Sequence, residues 1–411
     1  MLSVNEARER ILSHFQTTAT ETIPLIASAN RVLAVDISSA NDFPTFDNSS
    51  MDGFAIRAED SSASLTTLRV VADIPAGTSP TVTLQPGQAA RITTGAKIPH
   101  GANAVIPVED INPNFDPHPN PLPKKEREMP SAISFNKKVN VGENIRPKGT
   151  DIKSGQVVLQ KGRFIKPQDL GLLATLGIAN VEVYKKPRVA LLSSGDELLD
   201  VNSPLEEGKI RDSNSYTLAS LLENANVEVI RLGVAKDSKE AVTDLLDQAA
   251  SQKADLILSS AGVSVGAYDF IKEVIEANGK MDFWKVNMRP GKPLAFGSYR
   301  GINFIGLPGN PVSAFVGFEV FVRPALNRMS GVGDRIRQTL KVRSEAEIES
   351  DGRESYLRAK IQEKDGILFA SLTGHQGSGN LLSLVQADAL LIIPAGVKCV
   401  PAGQEVEAFL L

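Results

Sequence analysis

Two loops rich in proline and glycine carry the residues best suited to bind an anion. The first, Arg-Pro-Gly-Lys-Pro at 289–293, contains Arg289 and Lys292, and the second, Pro-Gly-Asn-Pro at 308–311, runs into a helical pattern. Guanidinium and ammonium groups bind oxyanions through charged hydrogen bonds. Each loop follows a short apolar stretch typical of a strand, and open α/β sheets bind ligands at strand ends. The sequence therefore predicts a site for an anionic substrate.

A third loop, Ser-Ser-Ala-Gly-Val-Ser-Val-Gly at 259–266, has the small residues of a phosphate cradle. Small side chains let backbone N–H groups approach an anion closely. A tight connection between a strand and a helix is an equally good interpretation. The loop matches neither G-x-G-x-x-G nor G-x-x-x-x-G-K-S, which disfavours nicotinamide binding and P-loop hydrolysis.

Five carboxylates accompany these loops. Glu197 follows a predicted strand, Asp237 lies at a predicted helix start, and Asp269 comes just after the third loop, while Asp52 and Asp151 lie earlier in the chain. Carboxylates that face phosphate oxygens across a crevice are what magnesium requires. The combination of both charge signs points to phosphoryl or oxyanion chemistry.

Each of these carboxylates also has a structural interpretation. Asp237 with Glu240 fits a capping box in which Asp237 is the N-cap, and Asp269 fits a cap as well. Asp52 and Gly53 fit a plain hairpin turn, and from spacing alone that interpretation is favoured over a carboxylate presented at a tight loop.

Composition excludes several classes of site and protein. The 411 residues include a single cysteine, Cys399, and four scattered histidines, which exclude a disulfide framework and a Cys/His zinc cluster. No Ser/His/Asp or Cys/His nucleophile system is recognisable. A net charge of −4 argues against a generic nucleic-acid binder. There is no apolar run of about 18 residues and no signal-peptide pattern, so we expect a cytoplasmic protein without a membrane partner.

The elements that must position these residues indicate a multi-domain protein of the α/β plus β class. Alternating strands and helices predict a doubly wound, mostly parallel α/β domain, and runs of short strands predict β-rich domains, including a C-terminal β barrel or sandwich. Val4, Ala7, Ile11 and Leu12 share one face of a predicted N-terminal helix. The expected divisions are 1–20 (a helix packing on another domain), 21–50 with 142–180 (a connecting mixed domain), 51–141 (β-rich, with a disordered Pro-rich insertion at 112–130), 181–329 (α/β) and 332–411 (C-terminal β).

Seven segments in order along the chain resemble the motifs of one family, the molybdopterin molybdenumtransferases. These are the MoeA-type proteins of molybdenum cofactor biosynthesis, which are related to the E domain of gephyrin. The segments are FDNSSMDGFA (46–55), RITTGAKIPHGANAVIP (91–107), GENIRPKGTDI (142–152), LLSSGDEL (191–198), SSAGVSVGAYD (259–269), FWKVNMRPGKPLAFG (283–297) and GLPGNPVSA (306–314).

The resemblance implies an elongated homodimer of four-domain subunits. By this resemblance the α/β domain at 181–329 would bind molybdopterin. The active site would form between the α/β domain of one subunit and the β-rich domain of the other. The implied substrates are adenylylated molybdopterin and molybdate, with Mg²⁺ as the metal and AMP as the leaving product. Implied transient partners are a molybdopterin adenylyltransferase, which supplies the substrate, and molybdoenzymes or their chaperones.

The resemblance also assigns roles to residues of this sequence. The implied catalytic residues are Asp52, Asp151, Glu197, Asp237, Asp269, Lys285 and Arg289, of which Glu197, Asp237 and Asp269 would bind the metal. The implied substrate-binding residues are Thr94, Gly262, Val263, Ser264, Gly266, Lys292, Pro308, Gly309, Asn310, Ser313, Arg358 and Ser378.

Three residues depart from the family pattern: Ala261 replaces a usual glycine, Ala267 a common acidic residue, and Arg289 a frequent lysine. Two other functions remain open alongside the transferase, namely a scaffold protein that retains the fold and a molybdopterin adenylyltransferase. Magnesium-dependent release of AMP from the adenylylated pterin would distinguish the transferase from a scaffold protein. Consumption of ATP would indicate an adenylyltransferase.

Overall fold

The computed structural model describes residues 1–112, 130–260, 270–333 and 339–411. The chain forms two compact units. The larger unit comprises Met1–Val35, Lys161–Ala174 and Ile178–Leu411, and the smaller unit comprises Asp36–Gln160 and Thr175–Gly177. No helix in the described ranges is long and apolar enough to cross a bilayer.

The helices and strands have the following bounds in chain order. The α-helices are α1 (Val4–Ser13), α2 (Pro167–Thr175), α3 (Asn214–Asn224), α4 (Lys239–Ser251), α5 (Phe270–Asn278), α6 (Pro311–Gly317), α7 (Arg323–Met329) and α8 (Leu381–Val385). The strands are β1 (Thr20–Pro24), β2 (Ile37–Ser38), β3 (Asn48–Ser49), β4 (Gly53–Ile56), β5 (Thr66–Ile74), β6 (Gln88–Ile92), β7 (Ala104–Pro107), β8 (Ala132–Phe135), β9 (Ile145–Arg146), β10 (Val157–Leu159), β11 (Asn180–Tyr184), β12 (Arg188–Ser194), β13 (Leu198–Leu199), β14 (Ile210–Arg211), β15 (Glu228–Ala235), β16 (Leu256–Ser260), β17 (Gly279–Lys285), β18 (Met288–Arg289), β19 (Pro293–Tyr299), β20 (Ile302–Leu307), β21 (Thr339–Ser344), β22 (Ile348–Glu349), β23 (Glu354–Lys364), β24 (Ile367–Leu372), β25 (Ala389–Ile393), β26 (Cys399–Val400) and β27 (Glu405–Leu410).

The predicted α/β sheet is confirmed in the larger unit. Its six strands lie in the order β15, β12, β16, β20, β19, β17. The first four are parallel, whereas β19 runs antiparallel to both β20 and β17. It follows that β17 points the same way as the parallel strands, so five strands end at one edge of the sheet. We call this the carboxyl edge.

Helices cover both faces of this sheet. They are required because successive side chains of β12 are apolar and point to opposite faces. Leu191 packs in one apolar core with Leu218 of α3, and Leu192 packs in the other with Leu246 of α4. The helix α1 joins the first of these cores through Val4, Ala7 and Ile11, the stripe that the sequence predicts. Its N-terminus is fixed by a capping box between Ser3 and Glu6.

The C-terminal part of the larger unit is a closed barrel, one of the two predicted alternatives. The strand β23 pairs with β24, β24 with β21, β21 with β27, β27 with β25, and β25 with β23 again. Closure leaves no free edge among these five strands. The two-residue strand β18 lies parallel to the start of β23, where Arg289 is opposite Ser355.

The smaller unit contains a five-stranded sheet in the order β7, β4, β6, β5, β8. The hairpin predicted at Asp52 and Gly53 is wrong, because β3 pairs with β9 while β4 pairs with β6 and β7. Gly53 is instead the first residue of β4. A Cβ there would overlap the carbonyl oxygen of Ile106 on β7, so glycine is required for close strand contact rather than for a turn.

Candidate active site

Glu197 lies at the carboxyl edge, in a loop that requires a glycine. Gly195 follows β12 with a φ of +144°, and its N–H donates to the carbonyl of Ala235 at the end of β15, with an N to O distance of 3.2 Å. A Cβ at Gly195 would overlap the Glu197 carboxylate, which folds back over this position. The glycine therefore lets Glu197 lie against the ends of two neighbouring strands.

Asp237 lies in the loop that follows β15, but not as the predicted cap. The N-cap of α4 is Ser238, whose side chain accepts from the Ala241 N–H at 3.1 Å, so the predicted cap was one residue too early. Asp237 instead forms a reciprocal contact with Asp196. The Asp237 N–H donates to Asp196 Oδ1 at 3.2 Å, and the Asp196 N–H donates to Asp237 Oδ2 at 3.4 Å.

Asp196, Glu197 and Asp237 thus form an acidic group at the ends of β12 and β15. All three are exposed, and the carboxylates of Asp196 and Asp237 accept from backbone N–H groups. The Lys209 ammonium donates to the backbone carbonyl of Asp196 at 2.8 Å. Sequence reasoning missed Asp196, although its position beside Glu197 was a signal. Hard oxygen donors of this kind fit Mg²⁺ better than a softer metal.

The acidic group alone does not complete a metal site. In the described ranges, no three His, Cys, Asp or Glu side chains are arranged to hold a metal ion. Asp269, the third predicted ligand, lies outside those ranges, as do the departures Ala261 and Ala267 and the predicted phosphate-binding residues Gly262, Val263, Ser264 and Gly266. The Pro-rich insertion at 112–130 is also outside them except for its two end residues.

Positively charged residues lie between β17 and β19, also at the carboxyl edge. Lys285 ends β17, and Lys292 has an exposed side chain while its carbonyl accepts from the Val286 N–H at 3.0 Å. Arg289 lies on β18 beside the barrel, and its Nη1 is 3.8 Å from Asp351 Oδ2. Both ends of this pair are partly exposed, so the contact leaves the Arg289 guanidinium open to a second anion.

Arg358 on β23 is a buried positive charge in the larger unit. Its side chain is fully buried, yet its partners are neutral: Nε donates to Ser383 Oγ at 3.1 Å, and Nη2 donates to the carbonyls of Gly377 at 3.0 Å and His375 at 3.4 Å. Nη1 is buried with no partner among the described residues. Burial and the nearby positive charge of Arg289 lower the pKa of Arg358 to about 10. A buried guanidinium with an unpaired donor has the chemistry to bind an anion.

Residues of two loops and of the first turn of α6 are linked to one another beside Arg358. Residues 374–380 supply the carbonyls that hold Arg358, and the carbonyl of Ser378 accepts from the Val312 N–H at 3.1 Å. Next to Val312, Ser313 is buried, and a Cβ at Gly291 would lie 3.7 Å from the Ser313 carbonyl oxygen. The loops at 289–293 and 374–380 therefore both lie close to the first turn of α6, which follows the loop at 308–311. This arrangement groups the predicted residues Arg289, Ser313, Arg358 and Ser378.

The loop at 308–311 is tied to the sheet by a residue that sequence reasoning missed. Asn214, at the start of α3, donates from Nδ2 to the Gly309 carbonyl and to Ser260 Oγ, both at 2.8 Å. Pro308 is buried at the end of β20, whereas Gly309 and Asn310 are exposed. The only advance signal for Asn214 was its polar character at the predicted start of a helix.

The two predicted carboxylates of the smaller unit have different partners. Asp52 Oδ1 accepts from the Thr94 backbone N–H at 2.7 Å and from Thr94 Oγ1 at 2.8 Å, and these two hydrogen bonds lower the pKa of Asp52. Asp151 forms an ion pair with Arg146. Asp52 is thus an exposed, ionised carboxylate held by a neutral residue that was itself predicted to bind substrate.

Three families of known domains match successive parts of the chain. Residues 2–177 match the MoeA N-terminal region (domain I and II) and residues 190–328 match a probable molybdopterin binding domain. Residues 341–411 match the MoeA C-terminal region (domain IV). Together these matches cover nearly the whole chain.

Curated relatives support the same assignment. The chain is 37% identical to a molybdopterin molybdenumtransferase from Nostoc sp., over 94% of this chain and 88% of that one. It is 42% identical to a molybdopterin molybdenumtransferase from Haemophilus influenzae, over 80% and 78% of the two chains. A solved structure of a molybdopterin biosynthesis MoeA protein from Pyrococcus horikoshii superposes with a TM-score of 0.82 at 32% identity, over 100% of both chains.

Proposed function

The chain belongs to the MoeA family of molybdopterin molybdenumtransferases, enzymes of molybdenum cofactor biosynthesis, and we propose that it inserts molybdenum from molybdate into adenylylated molybdopterin with release of AMP. The observation that carries the finer part of this proposal is the fully buried Arg358, whose Nη1 has no partner among the described residues. A buried positive charge without a charged partner lowers the stability of the fold unless an anion compensates it.

We propose that molybdate binds where the loops at 289–293 and 374–380 lie close to the first turn of α6. Molybdate is a tetrahedral dianion, and Nη1 of Arg358, unpaired within the described part of the chain, can donate charged hydrogen bonds to its oxygens. Arg289 adds a second positive charge, which lowers the pKa of Arg358 in the absence of an anion and would favour a dianion over a monoanion. The exposed ammonium of Lys292 and the hydroxyls of Ser313 and Ser378 are the proposed further contacts.

The acidic group is the proposed site of a divalent cation. Glu197 and Asp237, with Asp269, would hold Mg²⁺, and Asp196 would fix the orientation of Asp237 through their reciprocal hydrogen bonds. Bound there, Mg²⁺ would offset the negative charge of the pyrophosphate group as its bond breaks. The carboxyl edge carries both signs of charge, with carboxylates at the ends of β12 and β15 and positively charged residues near the end of β17.

We further propose a homodimer in which Asp52 and Asp151 act on the site of the partner subunit, as the family resemblance implies. Asp52→Ala and Glu197→Ala proteins should each be inactive, and the mixture should recover activity through heterodimers. Absence of recovery in a mixture shown by mass spectrometry to contain heterodimers would contradict the shared site. We also propose that an adenylyltransferase supplies the substrate and that molybdoenzymes or their chaperones accept the product.

AMP release from adenylylated molybdopterin tests the main proposal. We expect release that requires both molybdate and Mg²⁺, and that is lost when EDTA removes the metal. Release without molybdate would indicate a simple hydrolase, and consumption of ATP with free molybdopterin would indicate an adenylyltransferase. A folded protein that releases no AMP under any of these conditions would contradict an enzymatic role.

A further inference from the structure

Asn214 occupies the point in the larger unit where two strand ends of the carboxyl edge are joined to α3. The amide donates to Ser260 Oγ, on the last residue of β16, and to the Gly309 carbonyl, just after β20. Both donor–acceptor distances are 2.8 Å, which is ideal for this type of hydrogen bond. One side chain therefore connects two strand ends that backbone pairing alone would leave free to separate beyond the sheet.

The orientation of this amide is determined by its partners. The Gly309 carbonyl can only accept a hydrogen bond, so the amide must present Nδ2 and not Oδ1 to it. Oδ1 is consequently left buried and has no partner among the described residues. An unmet buried acceptor lowers stability, and a side chain selected for packing alone would avoid it.

The first turn of α3 is itself held firmly. The Ser215 N–H donates to Asp212 Oδ1 at 3.0 Å, and Ser215 Oγ lies 2.9 Å from Ser193 Oγ on β12. In the sequence Asn214 lies between Asp212 and Ser215, and it is only 8% exposed. The amide is thus carried by a rigid support, which is what a residue needs in order to position others.

We infer that Asn214 is a positioning residue of the active site, which holds the loop at 308–311 in register with the end of β16. This inference rests on the proposed function, because that loop adjoins Ser313 and the loop that holds Arg358. Asn214 would contact neither substrate directly. It acts through the Gly309 carbonyl, and its loss would displace a loop on which the reacting groups depend.

Asn214→Ala tests the inference against Asn224→Ala, a matched change at the exposed end of the same helix. We expect kcat for AMP release to fall about 30-fold in Asn214→Ala, with KM values for both substrates changed less than about threefold, since a misplaced loop impairs geometry more than binding. We expect wild-type kinetics in Asn224→Ala. Wild-type kcat in Asn214→Ala, or a loss that only follows a loss of folded protein in a thermal melt, would overturn the inference.

Ser260→Ala isolates one of the two hydrogen bonds. It should lower kcat about threefold to fivefold, and adding it to Asn214→Ala should produce little further loss, because the two residues act through the same contact. Independent losses that multiply in the double variant would contradict the connection through Ser260.

Hydrogen exchange tests the positioning role of Asn214 even if the wild-type protein releases no AMP. That result would defeat the proposed function, but the structural link can still be measured at the Val312 amide, which donates to the Ser378 carbonyl. We expect exchange in a peptide covering 308–312 to be about tenfold faster in Asn214→Ala and unchanged in Asn224→Ala. Equal exchange in both variants would overturn the positioning role without reference to activity.

Discussion

Two buried charges in the larger unit are treated in opposite ways. Asp169, in the first turn of α2, is 3% exposed and receives Arg163 Nε at 2.9 Å, Arg163 Nη2 at 2.8 Å and the Lys166 N–H at 3.0 Å. Arg358 is completely buried and, in the ranges that the structure describes, has only neutral acceptors and leaves one nitrogen unpaired. Within those ranges the first charge is neutralised and the second is not.

The difference separates a charge that stabilises the fold from one that is kept for a ligand. The pKa of Asp169 is lowered, chiefly by the Arg163 guanidinium, so the folded protein favours its ionised form. The pKa of Arg358 is lowered to about 10, so the folded protein disfavours its charged form. Since both residues are buried, exposure alone would not tell the two apart, but the count of charged partners does.

Asp169→Ala should have the largest effect, and on stability. The change removes three hydrogen bonds to the carboxylate, but the Arg163 side chain that remains is 42% exposed and can be solvated, so we expect a loss of about 2–3 kcal/mol of unfolding free energy. We expect chemical denaturation to show this loss, with AMP release per folded molecule unchanged. The double variant Arg163→Met/Asp169→Leu should recover most of the loss, and failure to do so would weaken the ion-pair explanation.

The contribution of Asp169 also has a defined pH dependence. Because its folded pKa lies below the ordinary value of 3.8, its stabilisation is fully present above pH 3.8 and is lost as the pH falls through the lowered value. Asp169→Ala should therefore flatten the acid side of the stability curve.

Arg358→Met should show the opposite pattern. Replacing an uncompensated buried charge with an apolar side chain of similar length should change the unfolding free energy by less than about 2 kcal/mol, because removal of the charge offsets the loss of its hydrogen bonds to Ser383, Gly377 and His375. We expect molybdate-dependent AMP release to fall about 100-fold or more, as for the loss of one preorganised donor. A destabilised variant with normal molybdate dependence would refute the distinction between the two charges.

Thr94→Val in the smaller unit tests an intermediate case, an exposed carboxylate held by a neutral residue. It removes one of two hydrogen bonds to Asp52 and should lower kcat/KM about fivefold. The pKa of Asp52 is lowered by Thr94, so the acid limb of the pH–rate profile should move to higher pH in the variant. Thr94→Ser, which keeps the hydroxyl, is the control, and an unshifted limb in Thr94→Val would argue against Asp52 as an ionised participant.

Asp351→Asn should have the smallest effect. Its carboxylate lies 3.8 Å from Arg289 in a partly exposed pair, and such pairs contribute at most about 1 kcal/mol. Removing this competing anion should lower the half-saturating molybdate concentration about twofold at low salt, with the difference shrinking as ionic strength rises. Glu363→Gln, at an exposed position on β23, should leave that concentration unchanged.

The fold was largely predictable because strand and helix periods are local properties. The alternation from Arg188 onward predicted the α/β sheet, and short strands after Met329 predicted the barrel. Local ambiguity produced the two errors. Asp237 and Ser238 are both good caps, and only the position of the Ala241 N–H decides between them. Likewise, Asp-Gly suits a turn unless another strand approaches Gly53, which depends on long-range pairing.

The candidate site was predictable in its residue types but not in its energetics. Loop composition identified Arg289 and Lys292, and the family resemblance identified Arg358. Nothing local to β23 indicated that Arg358 would be buried without a carboxylate, because its surroundings come from residues 375–383 and from β18. Asn214 was missed for the same reason, since its two partners are 46 and 95 residues away.

The short strand β18 has a consequence for how this protein can be divided. Arg289 leaves the α/β sheet and pairs with Ser355 of the barrel, and Arg353 Nη1 donates to the Met288 carbonyl at 3.1 Å. A cut between α7 and β21 would separate Arg289 from the strand that seats it and from Arg358. The proposed anion site therefore depends on both the α/β sheet and the barrel. A chimera that exchanges only the barrel would have to preserve the contacts between β18 and β23 in order to retain that site.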